Sequence, residues 1–410
     1  MLWLKLGWRN LLRNPARSLV QLLVIAGSLA FVIWVQNISA GTYARMINDA
    51  VRTGSGHLSL HHPEYISERL DKMYFSLSEA QKTITGITEI ASALPRVQIA
   101  GLARSSRESS AAMLVGIDFV LEAKSNPLLS ARRLLHGKLP QNEPDQAFIG
   151  YKLAERLQLK TGSKFVTMFQ EFSGDVASKL FRVGGIFKSG VSQIDNNTVF
   201  VNHQTIAASL GNIDAVHELA LLIKDIDRIR PLQQQLQSRC PADAGFRVFN
   251  WEETSKQLAD TIKIDHAQFK FMIFLLFVLV ALGTVNLLLM SILERSREFG
   301  LLQAIGLEKK KIGLLIAAEA LVLGTVGSVI GLAAGSIASY YSWKYGIDMS
   351  ALFKEQEVAG LLFEPIIFSA WSWNWMFGLS GGMIILVLAA SIYPAQKALE
   401  VNPADAMRSH

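Results

Sequence analysis

The side chains that could do chemistry are few, and their spacing limits what they could do. The run Gly56-His57-Leu58-Ser59-Leu60-His61-His62 holds three histidines. On an extended strand His57 and His61 would share one side with His62 opposite, so a two-histidine metal site is sterically open there. Glu64 is the only acid close by, and Pro63 stands between it and His62. The single cysteine, Cys240, excludes an intrachain disulfide, a thiolate zinc cluster and an iron-sulfur site. No Gly-x-x-x-x-Gly-Lys-Ser/Thr loop is present to cradle phosphates; the nearest run, residues 174–179, lacks the second glycine before its lysine. A serine elbow, a His-Glu-x-x-His helix and a glycine-rich cofactor turn are also missing. The expectation is a chain with no catalytic, metal-binding or cofactor-binding residues, so any ATP chemistry must come from another chain.

The elements around these residues are set by apolarity. With 410 residues, 50% hydrophobic and 18% charged, the chain is too apolar for an ordinary soluble protein. A membrane-spanning helix needs about 20 apolar residues, and residues 18–44, 271–293, 320–343 and 365–396 contain no charged side chain. Spans are expected at 18–41, 269–293, 312–343 and 369–396. The first apolar run exceeds the roughly 7 to 15 residues of a signal-peptide core and ends in no clean cleavage site, so it reads as an uncleaved anchor.

Lysines and arginines in short loops set orientation. Lys5, Arg9, Arg13 and Arg17 lead the chain without an acid, and Arg295, Arg297, Lys309, Lys310 and Lys311 crowd residues 294–311. Residues 1–17, expected as an interfacial helix, are assigned to the cytoplasm with the 294–311 segment and the 397–410 tail. The 344–368 loop, with Asp348, Glu355, Glu357 and Glu364, is assigned to the outside. The formal charge of +6 collects in the cytoplasmic pieces, so the basic balance is a topology signal and does not mark a nucleic-acid surface.

Residues 42–268 then form one extracytoplasmic domain between the first and second spans. Strands are expected over 57–60, 112–117, 165–169, 181–187, 198–201, 218–223 and 246–249, and helices over 78–94, 150–157 and 226–238. Turn clusters at 105–110 and 211–214 bracket an inserted subdomain at about 105–212. Residues 251–270 lack Pro and Gly and are expected to continue as a helix into the second span, a stalk able to carry motion. The expected fold is an α-helical membrane protein: four transmembrane helices with a large mixed α/β extracytoplasmic domain inserted between the first and second.

Gly324, Gly327, Gly331 and Gly335 lie in the third span. The last three form two overlapping Gly-x-x-x-Gly steps on one face, where helix backbones can approach closely. Packing within the bundle and a dimer seam both satisfy that pattern. Glu319 is the only ionisable residue close enough to a span to be drawn into it, as a structural group or as part of an ion pathway; inverted repeats, which accompany the second reading, are not visible. The segment 294–311 has a charged collar, an apolar ridge of Leu301, Leu302 and Ile305, and a basic run. It can dock a cytoplasmic partner or lie on anionic lipid. Asn402, Pro403 and Asp405 have the order of an N-cap, first-turn proline and helix-start acid, which describes a short terminal helix.

Together these features resemble the permease subunits of the FtsX and MacB superfamily of ABC transporters, in the LolC/LolE-like arrangement without a fused ATPase. The resemblance rests on Trp8-Arg9-Asn10-Leu11-Leu12-Arg13-Asn14-Pro15, the large domain after the first span, the Glu294 to Gly306 run, and Tyr393-Pro394-Ala395 followed by Asn402-Pro403-Ala404-Asp405-Ala406. It implies a homodimer or heterodimer of permeases, each bound to a cytoplasmic ATPase that holds the ATP and magnesium. Glu294, Arg295, Arg297, Glu298, Gly300, Leu301, Leu302, Ala304, Ile305 and Gly306 match the family's ATPase-coupling element. ATP-driven closure would be relayed through the spans to a porter-like outer domain, which is mechanotransmission. The implied function is lipoprotein release or export of an amphiphilic substrate, with an FtsX-like regulator of a cell-wall hydrolase as the alternative. The implied setting is a bacterial inner membrane with both termini cytoplasmic. Membrane lipid and a lipoprotein or periplasmic protein are further partners, and nucleic acid is not.

Overall fold

The computed structural model describes residues 5, 7–9, 13, 15–65, 72–241, 244–348, 356–358, 361–363 and 366–399. Much of the expected interfacial segment 1–17 and the expected terminal helix at Asn402, Pro403 and Asp405 lie outside the described residues. The chain divides into two compact units, one of residues 1–44, 263–349 and 366–410, the other of residues 45–262 and 350–365.

Among the described residues four helices are long and apolar enough to cross a membrane: α1 Pro15–Thr53, α2 Lys256–Glu294, α4 Lys309–Tyr345 and α5 Trp373–Leu399. A short α3, Ser296–Ala304, lies between α2 and α4. The first three expected spans fall inside these helices and the fourth begins four residues before α5, while α1 and α2 run well past theirs. Each has 39 residues, about 58 Å of helix against the roughly 30 Å of a hydrocarbon core. Phe271, Phe274, Leu279 and Leu282 of α2 are exposed, as suits a surface that lipid solvates.

The glycine stripe of α4 is filled within the chain. A Cβ on Gly327 would lie 2.7 Å from Ile25 Cγ2, one on Gly331 2.8 Å from the Ala26 carbonyl oxygen, and one on Gly335 3.0 Å from the Ala30 carbonyl oxygen. Only glycine lets α1 come this close. Gly324 faces Val387 of α5. Along the same helices Asn37 Nδ2 donates to Ser339 Oγ at 3.0 Å and Trp34 Nε1 to Ser342 Oγ at 2.8 Å, satisfying polar groups that hydrocarbon cannot.

The second unit is built on β1 Leu58–His61, β2 Phe75–Ser76, β3 Ile90–Arg104, β4 Ser109–Ile117, β5 Leu134–Gly137, β6 Gln146–Gly150, β7 Lys164–Gln170, β8 Val176–Phe187, β9 Thr198–Asn202, β10 Ala215–Val216, β11 Glu218–Ile223 and β12 Arg247–Asn250. Ten of these form one sheet in the order β12-β1-β11-β3-β4-β9-β6-β8-β5, with β7 joining β3 to β8. The path β3-β4-β9-β6-β8-β7 therefore closes on itself. The fifteen residues of β3 do this by pairing β11 through the first half and β4 and β7 through the second. Val97, Ile99, Leu114, Phe165, Phe181, Val199 and Val201 fill the interior in one apolar cluster that also takes in Leu58, Leu60 and Leu219.

Three expectations change here. Residues 105–212 do not form a separate subdomain, because β3 and the shared core tie them to the flanking strands. The helix expected over 78–94 is only Leu77–Ile84; Gly86, at φ +81°, turns the chain, and Ile90 begins β3. The stalk over 251–270 is broken at Ser255, between the short helix Trp251–Thr254 and α2. The 344–368 loop contains a hairpin of Gln356–Val358 with Leu361–Phe363.

Two histidines of the run are held by contacts within the unit. His57 Nδ1 accepts the N–H of Ile223 at 3.1 Å, and His61 stacks on Tyr65 with ring centroids 5.5 Å apart. Among the described residues no group of three or more His, Cys, Asp or Glu is gathered as for a metal.

One ionic cluster is buried in the unit. Arg96 pairs with Glu122 and Glu218, with all three side chains 5% exposed or less. Its Nη1 is 3.1 Å from Glu218 Oε1 and its Nη2 3.1 Å from Glu122 Oε2, and Nη1 also donates to the Gly54 carbonyl just after α1. Gln98 and Asn126 donate to the two carboxylates. Burial alone would lower the Arg96 pKa, but the two carboxylates outweigh it and raise it.

Two outcomes follow for stability. Arg96→Met leaves two buried carboxylates without their cation and is expected to cost about 3–5 kcal/mol, read as a lowered urea midpoint of the full chain. Burial, with the Arg52 charge adding to it, pushes the His57 imidazole below its ordinary 6.5. As pH falls through that value the unfolded chain binds more protons than the folded one, so stability is lost on acidification. His57→Gln is expected to flatten the melting temperature between about pH 7 and pH 5; an unchanged slope would contradict this.

Candidate functional site

The site is the short α3 and the charges that hold it. Arg295 leaves helical geometry, at φ −104° and ψ 14°, and separates α2 from α3. Its Nε donates to Glu298 Oε2 at 3.2 Å and its Nη1 to Glu319 Oε2 at 3.3 Å. Arg295 and Glu319 are each 13% exposed, and the guanidinium carbon lies 5.4 Å from the Phe299 ring centroid. Arg13 grips both oxygens of Glu298, with Nη1 3.1 Å from Oε2. Arg17 donates to Glu294. The result is a chain of alternating charge, Arg13–Glu298–Arg295–Glu319, with Arg17–Glu294 beside it. The hydrogen bond from Arg13 holds the Glu298 carboxyl below its ordinary range; burial opposes this and Arg295 adds to it.

Apolar packing fixes the other side of α3. Phe299 is buried among Ile292 of α2, Ile312, Leu315 and Ile316 of α4, and Ala398 of α5, with Leu302 against them. Gly300 is buried too. The helix ends at Gly306, φ +99°, with Gly306 N–H donating to the Gln303 carbonyl and Leu307 N–H to the Leu302 carbonyl. This is a Schellman ending, which needs a residue free to adopt positive φ.

The residues expected to couple thus divide. Glu294, Arg295, Glu298, Gly300 and Leu302 are occupied within the unit, and Gly306 shapes the turn. Arg297, Leu301, Ala304 and Ile305 remain exposed, at helical spacing on one face, with Leu301 at 54% and Ile305 at 76%. Lys309, Lys310 and Lys311 follow, also exposed. Sequence reasoning missed that Arg13 and Arg17 belong to this site and that Glu319 faces Arg295. The available signal was complementary charge: the leading segment carries arginines and no acid, and the collar carries acids at the same end of the bundle.

Comparison with known proteins agrees in family. Residues 270–403 match the FtsX-like permease C-terminal domain, and residues 18–239 match the MacB-like periplasmic core domain. The lipoprotein-releasing system transmembrane protein LolC of Xylella fastidiosa is 21% identical over 333 residues, covering 78% of either chain. The macrolide export ATP-binding/permease protein MacB of Campylobacter jejuni is 21% identical over 422 residues, covering 98% of this chain and 60% of that one. An uncharacterized ABC transporter permease of Methanocaldococcus jannaschii is 23% identical, covering 66% of this chain and 64% of the other. The chain therefore spans less than two thirds of the length of the last two. The solved periplasmic region of MacB from Actinobacillus actinomycetemcomitans aligns over 52% of this chain and 98% of its own, at 15% identity and a TM-score of 0.36. With four apolar helices, an α/β unit between the first and second, and both family matches in their places, the chain belongs to the FtsX/MacB superfamily of ABC transporter permeases.

Proposed function

We propose that this permease docks a separate cytoplasmic ATPase on the exposed face of α3 and passes the ATPase's movement to its extracytoplasmic domain. The observation that carries this is the division of α3: Arg295, Glu298, Phe299 and Leu302 are used within the unit, while Arg297, Leu301, Ala304 and Ile305 are left outside. An apolar pair beside a cation suits a groove on a protein partner, with apolar anchors at its centre and charge at the rim. The termini then lie in the cytoplasm, a reading that the arginines and lysines around α3 support. α1 and α2, each longer than a bilayer core, would carry the motion outward. A second permease copy or homologue completes the transporter, ATP and magnesium belong to the ATPase, and the chain itself is not an enzyme.

The cargo class follows from the relatives' names: one releases lipoproteins, another exports macrolides. Both are amphiphiles, and we take a lipidated or amphiphilic substrate, extracted at the outer face, as the reading for this chain. A regulator acting on a cell-wall hydrolase is the other outcome. It would replace transport if proteoliposomes containing the permease and its ATPase hydrolyse ATP without moving lipoprotein or amphiphile, while the outer domain crosslinks to a hydrolase.

Leu301→Glu with Ile305→Glu is expected to weaken ATPase association about a hundredfold, the loss of two anchors, with the thermal midpoint of the permease unchanged. Undiminished co-purification and ATP turnover would rule out this docking face. Arg13→Glu is expected to weaken association less, by freeing α3 from its clamp. Combined with Glu298→Gln it should cost little more than Glu298→Gln alone, and additive losses would mean Arg13 does not act through Glu298.

A further inference from the structure

The main sheet has two edges among the described residues, β12 and β5, and they are treated differently. At β12 the backbone is closed by side chains of the helix Ile229–Arg239: Gln237 Oε1 accepts the Val248 N–H at 3.1 Å, and Gln233 Nε2 donates to the Val248 carbonyl at 3.3 Å. β5 pairs with β8 on one side, and no described strand pairs with the other. An unpaired strand edge is a template for another strand, and folds normally cover it.

Beside this open edge lies a groove of 780 Å³ between β5 and the helix Tyr151–Arg156. Leu135, Tyr151, Ala154, Leu159 and Ile186 give it an apolar floor, and Leu135 is 45% exposed. Its rim is basic. Lys160 lines it, and the Lys152 and Lys188 ammonium groups lie 6.0 and 5.7 Å from the centroid of the Tyr151 ring. One acid, Glu155, lines it against these cations.

We propose that β5 and this groove bind an extended segment of a partner protein, added to the sheet as a further strand, whose groove-facing side carries both apolar and acidic residues. Main-chain hydrogen bonds to an edge strand supply affinity without regard to sequence, and alternate side chains supply choice. Period-two alternation turns every second residue of the added strand toward the groove, where apolar side chains meet the floor and carboxylates meet the lysines of the rim. The strand edge calls for an extended peptide, and the surplus of cations calls for carboxylates. The site lies wholly in the extracytoplasmic unit and stands or falls apart from ATPase docking on α3.

The test uses the full chain in lipid nanodiscs and a short fluorescent peptide in which valine and glutamate take turns at every second position, with threonine between them. Controls are the same peptide with lysine for glutamate, and one with N-methylated backbone on its pairing edge. The expected result is saturable binding of the glutamate peptide, with slowed deuterium uptake at residues 134–137 and none at 247–250. Lysine and N-methylated peptides should bind far more weakly. Lys152→Glu with Lys160→Glu should weaken the glutamate peptide about tenfold with the thermal midpoint unchanged. No saturable binding, equal binding of the lysine or N-methylated peptide, or protection elsewhere would overturn the proposal.

Discussion

A charge removed from water must find its partner inside the protein, and both units of this permease are arranged around that demand. Several kcal/mol are lost for each ion left alone in a low-dielectric site. Arg295 and Glu319, both largely shielded, meet each other, and in doing so tie the end of α2 to the third turn of α4, with α3 between them. In the other unit Arg96 is placed between Glu122 and Glu218, binding β3, β11 and the carbonyl of Gly54 together. Each network holds a junction where the chain changes direction, where apolar packing alone would leave the angle poorly specified.

The same reasoning separates the surfaces that are used from those that are available. On α3, ion pairing and the Phe299 cluster occupy one side, so the exposed Leu301 and Ile305 stand out against a face that has no further internal task. On the sheet, closure through β3 and β7 removes most edges, glutamines close β12, and β5 is left beside an apolar groove. In the membrane unit, glycine at Gly327, Gly331 and Gly335 brings α1 against α4, and larger apolar side chains point outward where lipid would receive them.

Much of this was legible in the residues. Charge-free apolar runs located the spans, because hydrocarbon imposes a length and a composition at once. Short strands rich in Val, Ile and Phe, such as β7 and β9, were legible for a similar reason. β3 was not, since Ile-Ala-Ser-Ala-Leu-Pro-Arg-Val-Gln-Ile-Ala-Gly-Leu-Ala-Arg mixes small residues with a proline and its first part continues a helical spacing. The ion pairs escaped too: Arg13 and Glu298 are 285 positions apart, and nothing local in either segment names the other. Net charge marked the arginines as a topology signal, which hid their second role as ligands of the collar. The open edge at β5 was beyond sequence reasoning, because strand order is a property of the whole sheet.

The measurement that bears most directly on the central claim is crosslinking from α3. Cys240 is the chain's one cysteine, so a Cys240→Ser background allows single cysteines at Ile305 and, as a control, at the exposed Leu282 of α2. Each would carry a short photoreactive group in membranes containing the permease and its ATPase. The account predicts a specific adduct to the ATPase from position 305, changed in yield by ATP, and none from position 282. Adducts from position 305 to lipid alone would contradict it, and would make α3 an interfacial helix rather than the seat of the motor.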